Sequence, residues 1–292
     1  MATILDLVGN TPMAEIKKLN PNPGVRMFAK LEGNNPGGSV KDRPALNMIR
    51  TAVERGDIGP GTKLVEATSG NTGIALAMIA RLFDLEIELV MPSSSTRERT
   101  LTMEAFGAKV TLLENIETCR DYAEEKGSRK DYFLLNQFAN PDNYLAHYKT
   151  TGPEIWKDTE AGITHFVSSM GTTGTIMGTS MFLKEKNPAI QIIGCQPTEE
   201  ASIPGIRRWP AAYLPKIYDP KRVDRIMDIS QQEAIDMTRQ LAKTEGIFAG
   251  MSSGGAASAA IRLAKELETG MIVFVVCDRG DRYLSSDLFG TP

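Results

Sequence analysis

Residues 35–43, NPGGSVKDR, gather two glycines, a serine, a lysine and two further charges into nine positions. The pattern reads as a turn feeding a helix, with Ser39 as the expected cap and Lys41 just inside the first turn. A lysine there lies beside the positive end of the helix dipole, and Arg43 adds a second positive neighbour. Both disfavour the ammonium form. The free amine is the species that acts as a base, or as a nucleophile toward a carbonyl cofactor. The bland reading of Lys41 is an exposed lysine whose stem covers apolar surface.

Three further loops are rich in Gly, Ser and Thr: Thr68–Gly73 (TSGNTG), Gly171–Thr175 (GTTGT) and Ala249–Gly255 (AGMSSGG). Such a turn before a helix offers backbone N–H and hydroxyl donors to one anion, assisted by the helix dipole. GTTGT, after the apolar run THFVSSM, is the best phosphate cradle in the chain. Any one of these loops reads equally well as ordinary strand-to-helix geometry, in which glycine shapes the turn and threonine caps. Neither GxxxxGK[ST] nor an opening GxGxxG is present, so a phosphate site here does not imply a nucleotide.

The elements that must position these loops alternate. Short β-rich runs (RMFAKLE, KLVEAT, EIELVMP, AKVTLL, THFVSSM, IQIIGCQP, MIVFVVCD) are separated by amphipathic segments, which predicts parallel sheets with crossover helices. Asn71–Phe83 is apolar nearly all round and predicts a helix buried between layers. Strand, small-residue turn and buried helix make a ligand-binding corner. Residues 198–225 break the rhythm with four prolines and no clear period, as a functional flap would.

Composition narrows the classes. The 292 residues favour two lobes over one. Interspersed charge, 33 Lys and Arg against 36 Asp and Glu, leaves no basic tract to follow a nucleic acid backbone. The longest apolar run, Met271–Cys277, suits a buried strand and is too short for a bilayer, and the N-terminus does not read as a signal peptide. Cys119, Cys195 and Cys277 are odd in number and far apart, which points to a reducing cytoplasm and no structural metal. His147 and His165 have no ligand or triad partner nearby in sequence and read as structural.

GNNPGGSVKDR, EATSGNTG, QFANPDN, KTTGPEIW, SSMGTTGTIMG, GIRRWP, GIFAGMSSGGA and CDRGDRYLS occur in order between Gly9 and Leu288. Together they resemble the fold-type II pyridoxal-phosphate enzymes that make cysteine, specifically the O-acetylserine sulfhydrylase B type. The resemblance implies an α/β protein of two lobes, similar to the tryptophan synthase β fold, with twisted, largely parallel sheets flanked by helices. Residues 1–35 with 147–292 would form the larger cofactor-binding lobe, and 36–146 the smaller mobile one. Position by position it implies that Lys41 carries pyridoxal 5′-phosphate as an internal aldimine and serves as acid and base. It implies that Asn71 bonds the cofactor's 3′ oxygen, Gly171, Thr172, Thr173, Gly174 and Thr175 cradle its phosphate, and Ser252 partners its pyridine nitrogen. Thr68, Ser69, Thr72 and Gln137 would grip the substrate's α-carboxylate. The implied reaction replaces the acetoxy group of O-acetylserine by sulfide through an aminoacrylate, in a homodimer.

A neutral Ser252 hydroxyl permits an unprotonated pyridine ring, a shallower electron sink than a carboxylate partner would give. That suits loss of a β leaving group over racemisation or transamination. Arg207, Cys277 and Asp278 belong to the stretches that mark the B type, and predict a more polar, roomier mouth. Arg207 would attract a larger anionic donor such as thiosulfate, yielding S-sulfocysteine; otherwise Arg207 and Arg208 are a solvated loop pair and Cys277 a strand-ending core thiol. Pro44 is acceptable only in a first helical turn, in keeping with a cap at Ser39. Rival readings are a serine or threonine dehydratase, a cystathionine β-synthase-like condensation, an idle scaffold of the same fold, and a nicotinamide dehydrogenase, against which the missing GxGxxG counts.

Overall fold

The computed structural model describes residues 1–68 and 70–290. Its strands are β1 (Met13–Glu15), β2 (Val25–Leu31), β3 (Lys63–Ala67), β4 (Glu86–Pro92), β5 (Lys109–Leu113), β6 (Tyr132–Leu134), β7 (His165–Ser169), β8 (Gln191–Pro197), β9 (Arg225–Ile229) and β10 (Gly270–Val276). The helices are α1 (Asp42–Arg55), α2 (Asn71–Leu82), α3 (Arg97–Ala105), α4 (Ile116–Gly127), α5 (Pro141–Lys149), α6 (Thr151–Asp158), α7 (Gly174–Lys186), α8 (Gln231–Gln240) and α9 (Met251–Glu266).

They build two sheets. One runs β1-β2-β10-β7-β8-β9 and is parallel except for β1; the other runs β5-β4-β3-β6 and is parallel throughout. Parallel strands need helical crossovers that cover both faces, so their sequences are continuously apolar rather than alternating. This explains MIVFVV in β10 and EIELVMP in β4, where every residue after Glu86 is buried. Separate cores lie on the faces of each sheet, around Phe274, Ile206 and Met27 or Phe166 and Val275 in the larger, and around Leu64, Ile79 and Leu89 in the smaller. Among the described residues no helix is long and apolar enough to cross a membrane, and no group of three His, Cys, Asp or Glu side chains is arranged to hold a metal ion.

All seven β-rich runs of the sequence become strands, and α2 is buried from Thr72 to Ala80 as expected. The short β1, β6 and β9 are additions. Residues 198–224 carry only two short 3-10 turns, at Ala211–Tyr213 and Pro220–Arg222.

The start of α1 differs from expectation. Lys41, not Ser39, occupies the cap position, and α1 begins at Asp42. Ser39 Oγ instead accepts the Lys41 N–H at 3.3 Å, because the backbone of residues 39–40 is drawn to β10: Val40 N–H donates to Cys277 O at 2.8 Å, and Ser39 bridges Asp278. Pro44 still falls in the first turn, where its missing N–H costs nothing.

Candidate active site

The carboxyl ends of β3, β7 and β10 meet the amino ends of α1, α2, α7 and α9 at one cleft, where ligands bind in open α/β sheets. Counted with its open mouth, the cleft spans about 730 Å³. Lys41, Asn71, Thr72, Gln137, Gly171, Thr172, Thr175, Arg207, Ser252 and Cys277 all line it. Residues 41 and 277 are thus neighbours although most of the chain separates them.

Asn71, Thr72 and Gln137 are held from behind. Asn71 Nδ2 donates to Asp278 Oδ2 at 2.7 Å, and Arg282 Nη1 donates to Asn71 Oδ1 at 2.5 Å, so the amide cannot flip and keeps one N–H to spare. Thr72 Oγ1 donates to Gln137 Oε1 at 2.8 Å while Gln137 Nε2 donates to Ala67 O at 2.6 Å. Behind Gln137 lies Glu66, fully buried, whose Oε1 accepts the Gln137 N–H and whose carboxyl burial pushes up to about 8. Asp42, also buried and pushed up to about 7 by burial, accepts the Gly37 N–H and holds the glycine turn over the start of α1.

Arg43 turns into a network of carboxylates. Arg43 is bidentate to Glu32 (2.7 and 2.8 Å) and to Glu154 (2.6 and 2.7 Å), and buried Lys30 adds contacts to Glu154 and Asp158 at 3.0 and 3.1 Å. The guanidinium charge is balanced within this network, which fastens the first turn of α1 to β2 and α6.

The loop 171–175 is shaped for close approach. Thr173 takes a left-handed φ of +71°, and a Cβ at Gly174 would lie 2.0 Å from Asn143 Oδ1. Gly171, Thr172 and Thr175 face the cleft; Thr173 and Gly174 turn the chain behind it. The first N–H groups of α7 lack intrahelical acceptors. Thr173 Oγ1 is buried with no hydrogen-bond partner among the described residues. Small residues, hydroxyls, orphan N–H groups and a positive helix end suit a phosphate, and the neutral Ser252 hydroxyl suits a pyridine nitrogen. The donor set therefore fits pyridoxal phosphate.

Two expected site residues lie elsewhere. Thr68 Oγ1 accepts the N–H groups of Gly70 and Gly73 at 3.0 and 3.1 Å, shaping the turn from outside the cleft lining. Asp278 lies behind Asn71 and also accepts from Tyr283 OH at 2.7 Å. Ser69 lies outside the described residues. Arg207 and Arg208 are not a solvated pair: Arg208 is bound to Asp228 at 2.7 Å and to Pro197 O, whereas Arg207 turns into the cleft and makes no ion pair among the described residues. Burial presses the Arg207 guanidinium below its usual range, outweighing the nearby Glu117 carboxylate, with Arg99 adding to the pressure. Burial pushes the Cys277 thiol up to about 11, so it is neutral at pH 7 despite facing Lys41.

The cleft also contains Arg99, Phe138 and Trp209. Arg99 stacks over Tyr283 at 4.9 Å and fits only because Gly70 has no side chain; a Cβ there would be 2.4 Å from Arg99 Cδ. Nothing in RERT signals this. Trp209 belongs to the stretch GIRRWP, in which the sequence singled out only the arginines, and its Nε1–H donates to Gly171 O at 2.7 Å. Of the histidines, His165 lies away from the cleft, but His147 reaches Thr175 at 3.3 Å.

A lysine-bearing cleft between two parallel sheets, with a phosphate cradle and a neutral partner for a ring nitrogen, defines a class, and the sequence pattern of the pyridoxal-phosphate dependent enzymes matches residues 4–278: the chain belongs to that family. Among its relatives, cysteine synthase B of Pseudomonas aeruginosa is 57% identical over 98% of this chain and 97% of its own length, and that of Escherichia coli is 53% identical over 99% and 97%. The solved cysteine synthase of Entamoeba histolytica superposes with a TM-score of 0.93 at 38% identity, covering all of this chain and 91% of its own. An O-ureido-L-serine synthase superposes equally well, at 33% identity over 100% and 96%.

Proposed function

We propose that this protein is a cysteine synthase, replacing the acetoxy group of O-acetyl-L-serine by sulfide. The observation that carries the reading is the convergence of Lys41, Asn71, Gly171–Thr175 and Ser252 on one cleft, in a chain 53–57% identical to cysteine synthases B over nearly its whole length. The fold alone does not choose the nucleophile, since the O-ureido-L-serine synthase shares it.

Lys41 would hold pyridoxal phosphate, with its phosphate at residues 171–175, its ring nitrogen at Ser252 and its ring oxygen at the spare Asn71 N–H. The bound cofactor supplies an electron sink that acidifies Cα–H and eases departure of a β substituent. Thr72 and Gln137 orient the substrate carboxylate beside the positive end of α2. Lys41 Nζ, at the cap of α1, takes the Cα proton and later returns it. Cys277, as a neutral thiol, offers no competing thiolate, and Phe138 and Trp209 exclude water from the mouth. Arg207, a cation facing the cleft, supports thiosulfate as an alternative donor.

We further assign residues 36–146 to a smaller lobe that closes over the substrate, with residues 1–35 and 147–292 as the larger lobe. The four-stranded sheet lies wholly within the former range. A homodimer in the cytoplasm is the expected form; three free cysteines are consistent with a reducing compartment.

The test is absorbance. The protein loaded with pyridoxal phosphate should show a visible band that Lys41→Ala lacks, that shifts on adding O-acetylserine, and that returns with sulfide. A wild type that takes up no cofactor, or that leaves O-acetylserine untouched in the presence of sulfide, would sink the proposal.

A further inference from the structure

His147 is buried on α5, and its ring is held at both nitrogens: Nδ1 lies 2.9 Å from Thr151 Oγ1 at the start of α6, and Nε2 lies 3.3 Å from Thr175 Oγ1 in the first turn of α7. The close crossing of α5 and α7 makes this contact. It depends on Gly178, where a Cβ would lie 1.9 Å from Tyr144 O. Thr175 in turn lines the cleft. Burial, with the nearby charges of Arg43 and Lys41 outweighing Glu154, holds the imidazole neutral, its pKa well below the usual value. A neutral imidazole has one N–H, so its two contacts run in opposite senses.

Donor counting fixes the direction. An anion in the cradle accepts only, so Thr175 must give it the hydroxyl hydrogen and must itself accept from Nε2. Nδ1 is then an acceptor, and Thr151 must donate to it. We infer that His147 is a positioning residue of the phosphate cradle: as its Nε2–H tautomer it relays Thr151 O–H to Nδ1 and Nε2–H to Thr175, turning the Thr175 hydroxyl outward as a donor. This rests on the placement of the cofactor phosphate at residues 171–175 proposed above.

The chain has only two histidines, so ¹⁵N-histidine spectra of the holoenzyme, assigned with His165→Asn, report the tautomer directly. His147 should be protonated at Nε2 and not titrate between about pH 5 and 8; an Nδ1–H ring or an imidazolium overturns the relay. His147→Leu should release pyridoxal phosphate about tenfold faster and move its ³¹P resonance, as loss of a hydrogen bond in a chain ending on a charge predicts. His147→Gln keeps an N–H near the same place and should stay within about threefold of wild type. Equal damage by Leu and Gln, or none from either, overturns the assignment. Thr175→Val separates the two readings. If it leaves release and the ³¹P resonance unchanged, the phosphate placement fails and takes the relay with it; if it alters both while His147→Leu does not, only the relay fails. Should His147→Leu not fold, Thr151→Val serves, expected to speed release about threefold, with an unchanged rate counting against the relay.

Discussion

Asn71 and Asp278 are joined by a 2.7 Å hydrogen bond across 207 residues of chain, linking the first residue of α2 to the turn after β10. The same carboxylate oxygen accepts from Tyr283, and the other oxygen of Asp278 is buried without a hydrogen-bond partner among the described residues. Asp278→Ala frees the Asn71 amide to rotate and strands the buried Tyr283 hydroxyl. We expect pyridoxal phosphate affinity to fall about tenfold and the unfolding free energy by about 1–3 kcal/mol. Cofactor titration and urea unfolding check this; wild-type affinity would place Asp278 outside the control of Asn71.

The charged network under α1 makes a stability prediction. Glu32 is fully buried; burial would raise its carboxyl, yet the Arg43 guanidinium holds it below the usual range. Arg43→Ala leaves that carboxylate without its main partner, a change that costs about 3–5 kcal/mol in comparable buried pairs. Arg43→Lys, lacking the bidentate fork, should recover only part of it. Denaturant midpoints of the two variants give the answer.

Glu66 should govern a pH dependence. Burial raises its carboxyl to about 8 in the fold, against about 4.3 in an unfolded chain. The folded state therefore keeps a proton that the unfolded chain sheds, and the stability this contributes is present at low pH and lost as pH rises through about 8. Glu66→Gln removes the ionisation while retaining an acceptor for the Gln137 N–H. Its stability relative to wild type should grow from about pH 4 to about 8 and level off above that. Parallel stability curves across this range would contradict the assignment.

Arg120 on α4 lies 4.3, 5.4 and 5.2 Å from the ring centres of Phe138, Trp209 and Tyr213 and donates to Tyr213 O at 2.6 Å. It thus ties the smaller sheet's side of the cleft to the flap of residues 198–224. Removing it in Arg120→Ala loses cation–π contacts of about 0.5–2 kcal/mol each. KM for O-acetylserine should rise several-fold, with a red shift in Trp209 fluorescence; Trp156→Phe isolates that signal.

Arg207 turns its charge into the cleft. Arg207→Ala should lower kcat/KM for thiosulfate about tenfold, in keeping with loss of a hydrogen bond to a charged group, and change the sulfide value much less. Equal losses for both donors would make Arg207 a structural residue of the mouth.

Much of this was legible in the chain before any coordinates. Parallel strands buried on both faces write themselves as uninterrupted apolar runs, so β4, β7, β8 and β10 were visible, as was α2, apolar all round. Lys41, Asn71, the GTTGT turn and Ser252 were found through the motifs that surround them. The three-residue β1 and β6 were not, because so few residues carry no periodicity, nor was β9, which is exposed at three of its five positions and so lacks the continuous apolar run.

What the sequence by itself determined is local: which segments are strands and helices, where glycine and threonine shape a turn before a helix, and which residues have the chemistry. The tertiary structure alone decided who faces whom. Arg43 points to Glu154, Asp278 stands behind Asn71 rather than in the mouth, Arg207 turns inward while Arg208 is bound to Asp228, and His147 reaches Thr175. These pairings depend on the order of strands in a sheet and on how closely two helices cross, at Gly174 and Gly178 above all. Side-chain direction across such crossings follows from the packing of whole layers, which no local pattern of residues encodes.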